Sequence, residues 1–146
     1  MSTPFRLQIP RLLYEAMILQ AIAELPNECC GLLAGRIDNG IGRVARRYPL
    51  INEAASPREY LSESRSLFAA HRDMHQRSLE VLAIYHSHPT SEPVPSRTDL
   101  ERNYSAEVVN LIISLKDGEP KVRGWWLTES AYREAEWELV EENQVN

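Results

Sequence analysis

Leu79-Glu80-Val81-Leu82-Ala83-Ile84-Tyr85-His86 is mostly apolar and partly β-branched, and Ser87-His88-Pro89 comes directly after it. Its length suits a strand better than a helix, and the scarcity of polar positions marks a strand buried on both faces. Such a strand belongs at the centre of a sheet. Ser87 to Pro95 holds prolines at 89, 93 and 95. Proline removes backbone donors and fixes φ, so this stretch reads as a surface loop.

The surrounding chain supplies the rest of a mixed α/β layer structure. Cys29 to Ile37 and Ile41 to Ile51 flank Asp38-Asn39-Gly40, and Asn-Gly between apolar runs predicts a β-hairpin. Phe5 to Ile9 alternates like a short edge strand. A helix is expected from Pro10 to about Leu25, stopped by Pro26. Leu12, Leu13, Ala16, Met17, Leu19, Ala21, Ile22 and Leu25 are too many apolar residues for one narrow stripe, which predicts a largely buried helix. Asn52 to Ser62 reads as an irregular connection broken at Ser56-Pro57. Ser62 or Ser64 is then expected to cap a helix reaching about Arg77, with Leu67, Phe68, His71, Met74 and His75 on one side. A short helix from Ser96 to about Tyr104 precedes two strands, Val108 to Leu115 and Lys121 to Leu127. Between Ala131 and Val140 the alternation of Ala135, Trp137 and Leu139 favours a strand, although the composition would also suit a helix.

Composition narrows the function. The 146 residues are 43% hydrophobic and 25% charged, as in ordinary folded proteins, and they read as one domain, 1–146. A chain of this size buries roughly 70% of its unfolded surface, so a metal must be argued from chemistry rather than from a need for staples. Lys+Arg 16 against Asp+Glu 21 leaves a net charge of -5, the wrong sign for a nucleic-acid partner. No apolar run approaches the roughly 20 residues of a membrane span, and Met1 to Arg11 lacks a signal peptide's basic start and apolar stretch. The expectation is a cytoplasmic protein with no membrane contact. Cys29 and Cys30 are adjacent, and sequence neighbours rarely reach disulfide geometry, so both are expected as free thiols.

His86 and His88 carry the chemistry. Residues two apart in an extended chain face the same side roughly 6.6 Å apart, close enough for two imidazoles to share one ion at about 2.0 Å from each nitrogen. After ten intervening residues Asp99 returns a carboxylate as a third ligand, leaving the fourth position of a tetrahedral ion for water. That is the donor set of a catalytic zinc. Ser96-Arg97-Thr98-Asp99 also matches a capping box, so helix initiation alone would explain Ser96 and Asp99. A zinc hydrolase further needs a proton carrier beyond the ligands. Glu28, at the mouth of the strand from Cys29, is the candidate; an ordinary glutamate at a strand start is the alternative.

Glu28, His86-Ser87-His88-Pro89, Ser96 and Asp99 together resemble the complete signature of the JAMM metalloproteases of the MPN+ type. Pro26-Asn27-Glu28-Cys29-Cys30-Gly31-Leu32-Leu33-Ala34-Gly35 is similar to the glutamate-bearing stretch of compact bacterial members, and Ala83-Ile84-Tyr85 fits the approach to the histidines. The resemblance spans Phe5 to Thr128. It implies a curved mixed β-sheet sandwiched between helices, in a layout like that of cytidine deaminase. It implies Zn2+ on His86, His88 and Asp99, Glu28 moving a proton from the zinc-bound water to the leaving group, and Ser96 donating to the oxyanion. An oxyanion donor is worth about 3 kcal/mol in comparable sites. Ser87 shapes the turn. Compact stand-alone members are associated with ubiquitin-fold sulfur-carrier proteins, which they cleave after a C-terminal Gly-Gly to release an attached cysteine or extension. A Gly-Gly tail suits a narrow groove beside an edge strand, and Arg43, Arg46 and Arg47 suit an acidic carrier or a solvated strand surface.

Other constellations compete. Cys29 or Cys30 with a histidine suggests a thiol hydrolase, but a buried thiol beside Glu28 would have a raised pKa. His71 and His75 have zincin spacing, but Arg72 stands where that motif needs glutamate, so they read as a helix-face pair. Trp125 and Trp126 point to opposite faces of a strand, so only one is expected in the core. Glu134, Glu136, Glu138, Glu141 and Glu142 read as a solvated edge. The alternative from another class is a non-catalytic MPN-fold scaffold, whose members usually lack the ligands. The sequence leaves monomer and homodimer open.

Overall fold

The structure, a computed structural model, describes residues 4–141. Its elements are β1 (Arg6–Pro10), α1 (Arg11–Ala23), β2 (Cys30–Asp38), β3 (Ile41–Leu50), α2 (Ser64–Gln76), β4 (Glu80–His88), α3 (Arg97–Glu101), β5 (Val109–Ser114), β6 (Lys121–Leu127), β7 (Tyr132–Ala135) and β8 (Trp137–Val140). All eight strands form one mixed sheet in the order β7-β6-β5-β4-β2-β3-β1-β8. β4 lies in its middle, antiparallel to β2 and parallel to β5. From Leu82 to His88 it is buried throughout, as its apolar run demands. Asn39 and Gly40 take positive φ, 52° and 75°, which gives the β2–β3 hairpin its tight turn.

The two sheet faces are covered differently. Leu33, Val44, Leu82, Ala83, Tyr85, Leu111 and Ile113 pack with Met17 and Ala21 of α1. On the other face Leu32, Ala34, Leu50 and Ile84 meet Ala70 and Met74 of α2, while Leu100 of α3 packs on Ile112, Trp125 and Leu127. The expected curved mixed sheet between helices is therefore present. No helix among the described residues is long and apolar enough to cross a membrane.

Several expectations need correction. The tail is not one strand. β7 pairs with β6 and β8 with β1, at opposite ends of the sheet, and only Glu136 separates them. The sheet curls until its two ends are joined by that one residue. β1 is consequently no edge, because β8 covers the side that β3 leaves open. Ser87 and His88 belong to β4 rather than to a loop, because β5 supplies ladder partners as far as Ser114. α1 is only half-buried. Met17 and Ala21 face the core, whereas Leu12, Leu19 and Ile22 are 62%, 67% and 49% exposed. The cap of α2 is Glu63, whose carboxylate accepts the Ser66 N–H at 2.6 Å, so neither Ser62 nor Ser64 serves. Phe68 on that helix points to solvent.

The acidic tail is a solvated edge as expected: β7 and β8 are the outer strands of the sheet, and the glutamates on and beside them stay exposed while pairing with basic neighbours. Glu134 pairs with Arg123, Glu136 and Glu138 with Arg6, and Glu141 with Arg11; Glu142 lies outside the described residues. Both tryptophans are packed. Trp125 is buried and donates to the Pro93 carbonyl at 2.9 Å, and Trp126 meets Phe5 edge-on at 5.2 Å.

Candidate active site

A bulge sets the phase of β4. Leu33 pairs with Ala83 but Ala34 with Val81, so Leu82 is the extra residue. Beyond it the pleat sends Ala83, Tyr85 and Ser87 toward α1, and Ile84, His86 and His88 toward α2 and α3. Tyr85 lies over Gly31, where an added Cβ would stand 2.1 Å from the ring, so this cross-strand pair requires glycine.

His86 Nε2 and His88 Nε2 are 3.2 Å apart, and Asp99 Oδ2 is 3.2 Å from each. The side chains are 1%, 4% and 8% exposed. Among the described residues this is the one group of three His, Cys, Asp or Glu side chains placed to hold a metal ion. His88 Nδ1 donates to the Glu92 carbonyl at 2.8 Å, which leaves the Nε2 lone pair free in a neutral imidazole. His86 Nε2, His88 Nε2 and Asp99 Oδ2 thus converge on one point, an arrangement compatible with a shared metal ion. Donors about 2.0–2.2 Å from one tetrahedral ion stand about 3.3 Å from each other, and the observed spacing fits.

Helix initiation and convergence use the same atoms. Asp99 N–H donates to Ser96 Oγ at 3.1 Å, and Ser96 N–H donates to Asp99 Oδ2 at 2.8 Å, a complete capping box. Burial would raise the Asp99 carboxyl, but the charge and hydrogen bond of His86, the hydrogen bond of His88 and the Ser96 N–H hold it well below the usual carboxylate range. Burial pulls His88 down, and its bonds to Asp99 and Glu92 outweigh that and raise it.

Glu28 is 3% exposed, and its Oε1 has no hydrogen-bond partner. The register that pairs Cys30 with His86 continues through Ser87 N–H to the Cys29 carbonyl at 3.2 Å, which brings Glu28 opposite His88. Burial pushes its carboxyl up to about 8; His88 opposes this, while Asp99 and Glu59 add to it. Cys29 and Cys30 are fully buried and burial pushes both thiols up to about 12, the opposite of what a thiol nucleophile needs. His71 stacks near Tyr104 at 6.5 Å and joins no ligand group.

Two residues on the irregular segment 52–62 were not singled out from the sequence. Tyr60 stacks on His86 with ring centroids 4.8 Å apart, and Asn52 donates to the Glu28 carbonyl at 2.9 Å. Tertiary contact alone reveals them. A cavity of about 180 Å³ opens beside Asp99, walled by Leu50, Tyr60, Leu61, Leu67, Ile84 and Tyr104. β4 is paired on both sides, so it offers a bound tail no free strand edge. The arginines of β3 are engaged within the fold: Arg43 with Gln8, Arg46 with Asp73, and Arg47 with Gln20 and Tyr85.

A solved structure shares this layout, and named proteins resemble the chain in sequence. The solution structure of a Desulfitobacterium hafniense protein is similar with a TM-score of 0.84 and 31% identity, covering 96% of this chain and 98% of that one. A CysO-cysteine peptidase of Mycobacterium tuberculosis is 30% identical over 142 residues, 97% of this chain and 96% of its own. A desampylase of Haloferax volcanii is 36% identical over 106 residues, 72% of this chain and 74% of its own. A probable TtuB-protein conjugate cleaving protease of Thermus thermophilus is 38% identical over 96 residues, 65% of this chain and 62% of its own. The family of prokaryotic homologs of the JAB domain matches residues 10–128, so with this fold and this His-His-Asp cluster the chain belongs to the prokaryotic JAB-domain family.

Proposed function

We propose that this protein is a zinc-dependent peptidase or isopeptidase that cleaves after the C-terminal Gly-Gly of a ubiquitin-fold sulfur-carrier protein. It would release an attached cysteine or a C-terminal extension. The observation that carries this reading is the meeting of three donor atoms at 3.2 Å beside a buried carboxylate with an unpartnered oxygen. His86, His88 and Asp99 hold the ion, and two imidazoles with one carboxylate are a donor set suited to zinc. The relatives named as peptidase, desampylase and conjugate-cleaving protease support the class of reaction.

Zinc, when bound, lowers the pKa of a water to about 7 and polarises a carbonyl. Glu28 takes a proton from the attacking water and gives it to the leaving nitrogen, so hydrolysis adds hydroxyl to the carbonyl carbon and hydrogen to the amine. Burial favours the protonated carboxyl, which suits Glu28 to holding the proton between the two transfers. Ser96 Oγ accepts from Asp99 N–H and keeps its own hydrogen to donate to the developing oxyanion. The cavity beside Asp99 suits an extended tail entering between α2, α3 and segment 52–62.

The test incubates zinc-loaded protein with carrier conjugates that differ in the group attached to the Gly-Gly carboxyl and weighs the products by mass spectrometry. The expected product ends in Gly-Gly, and Glu28→Gln retains zinc without forming it. Zinc binding with no cleavage of any conjugate, and no difference between wild type and Glu28→Gln, would return the protein to the scaffold reading.

A further inference from the structure

We infer that Asn52 is a positioning residue, which fixes the backbone at Glu28 and seats Tyr60 against His86. Its relevance to turnover rests on the proton-carrying role proposed for Glu28. Asn52 comes two residues after the end of β3 and is 8% exposed. Its amide nitrogen donates to the Glu28 carbonyl at 2.9 Å and the Glu59 carbonyl at 3.1 Å. Its side-chain oxygen accepts the Ala54 N–H at 3.1 Å and the Leu61 N–H at 3.0 Å. Two donors and two lone pairs are thereby all used, a complement that only a primary amide supplies.

These bonds organise segment 52–62, which closes through an Asn52–Ser62 bridge and the Glu53 N–H to Leu61 carbonyl bond at 2.7 Å. Glu28 depends on this segment from both sides. Its N–H donates to the Ser56 carbonyl at 2.8 Å, and its carbonyl accepts from Asn52. Tyr60 lies between the two residues whose backbone Asn52 grips, Glu59 and Leu61.

The two histidines differ in what orients their rings. A ligating imidazole is ordinarily fixed by a hydrogen bond to its second nitrogen. His88 has one, from Nδ1 to the Glu92 carbonyl, whereas His86 Nδ1 is buried without a partner. The Tyr60 ring at 4.8 Å, tilted by 28°, fills that role by stacking. Asn52 therefore serves two members of the cluster that the chain brings together from separate elements.

Asn52→Ala removes all four bonds. Asn52→Asp keeps the acceptor oxygen but sets a second oxygen against two carbonyls, so it isolates the donor side. Ser66→Ala is the control; it removes a hydroxyl that bonds Ile51 N–H and the Glu63 carbonyl, away from Glu28. In metal-free protein, the His86 ring-proton resonances are expected to lose the ring-current shift from Tyr60 in both Asn52 variants and to keep it in Ser66→Ala. With zinc and a cleavable conjugate, kcat is expected to fall on the order of a hundredfold in the Asn52 variants, as for a misplaced reacting group, with KM changing much less. His86 resonances identical to wild type in both Asn52 variants, or a kcat no lower than that of Ser66→Ala, would overturn the inference. If the wild type cleaves nothing, the proposed function fails and the resonances alone decide this inference.

Discussion

Removing the Ser96 hydroxyl separates two roles that one atom is placed to perform. Ser96 Oγ accepts the Asp99 N–H at 3.1 Å, so Ser96→Ala deletes a helix cap worth about 1 kcal/mol, or about 3 °C of melting temperature for a chain of this size. Glycine at a cap position costs only a few tenths of a kcal/mol, so Ser96→Gly keeps nearly all of that stability. An oxyanion donor contributes on another scale, on the order of a hundredfold or more in kcat, about 3 kcal/mol. If the hydroxyl stabilises the oxyanion, the two variants differ in melting temperature and agree in a large loss of kcat at saturating zinc. If it acts only through α3, activity follows stability and Ser96→Gly works almost normally. The assays are thermal melts, zinc affinity by chelator competition, and single-turnover cleavage of a carrier conjugate well below both melting temperatures. Ser96→Gly within about threefold of wild type, or a loss of activity matched by a loss of zinc affinity, would refute the oxyanion role.

Glu28 makes the metal-free protein sensitive to pH. Burial lifts its carboxyl from 4.5 to about 8, so in that window the folded chain keeps a proton the unfolded chain has released, and stability falls as pH rises. The melting temperature of metal-free Glu28→Gln should exceed that of wild type by a margin that widens from pH 5 to pH 8, within the range set by these two values; parallel curves would contradict the assignment. His88→Ala removes one of three donors and should abolish stoichiometric zinc binding by calorimetry, while the far-ultraviolet dichroism stays native. Iodoacetamide should leave native activity unchanged and label Cys29 and Cys30 only after denaturation, because both thiols are buried; inactivation of native, zinc-loaded protein would revive the thiol reading.

What the sequence disclosed divides by the range of the interactions involved. β4 and the Asn39-Gly40 turn were legible because their causes are local: a two-face apolar run and a pair of residues tolerant of positive φ. His86 and His88 were legible for the same reason, since strand pleating alone puts them on one side. The failures are nonlocal. A tally of apolar residues in α1 could not tell which side the sheet occupies, and Leu12, Leu19 and Ile22 face away from it. Alternation in the tail could not show that Glu136 divides it between two sheet ends. Ser87 and His88 looked like loop because the partner that makes them strand is β5, more than twenty residues onward. Glu28 at its strand mouth could be read as a proton carrier or as an ordinary glutamate until the resemblance favoured the first, since only cross-strand register brings it to His88, and Tyr60 and Asn52 carried no local pattern at all.

The two explanations of Ser96-x-x-Asp99 were never exclusive, and the reason is stereochemical. A carboxylate offers about four lone-pair directions, and a capping box uses one of them. Asp99 Oδ2 accepts the Ser96 N–H and still stands 3.2 Å from both imidazole nitrogens. α3 is five residues long and has no fully buried residue of its own, too short to persist by backbone bonding alone. Its place comes from Leu100 packing against Ile112, Trp125 and Leu127 and from the reciprocal bonds of the box. Those bonds fix the rotamer of Asp99 before any ligand arrives, so the entropy of orienting that donor is lost on folding rather than on binding. A serine and an aspartate three residues apart thus do in one turn what a longer helix would need packing to achieve, and the cap itself turns the third donor toward the two histidines of β4.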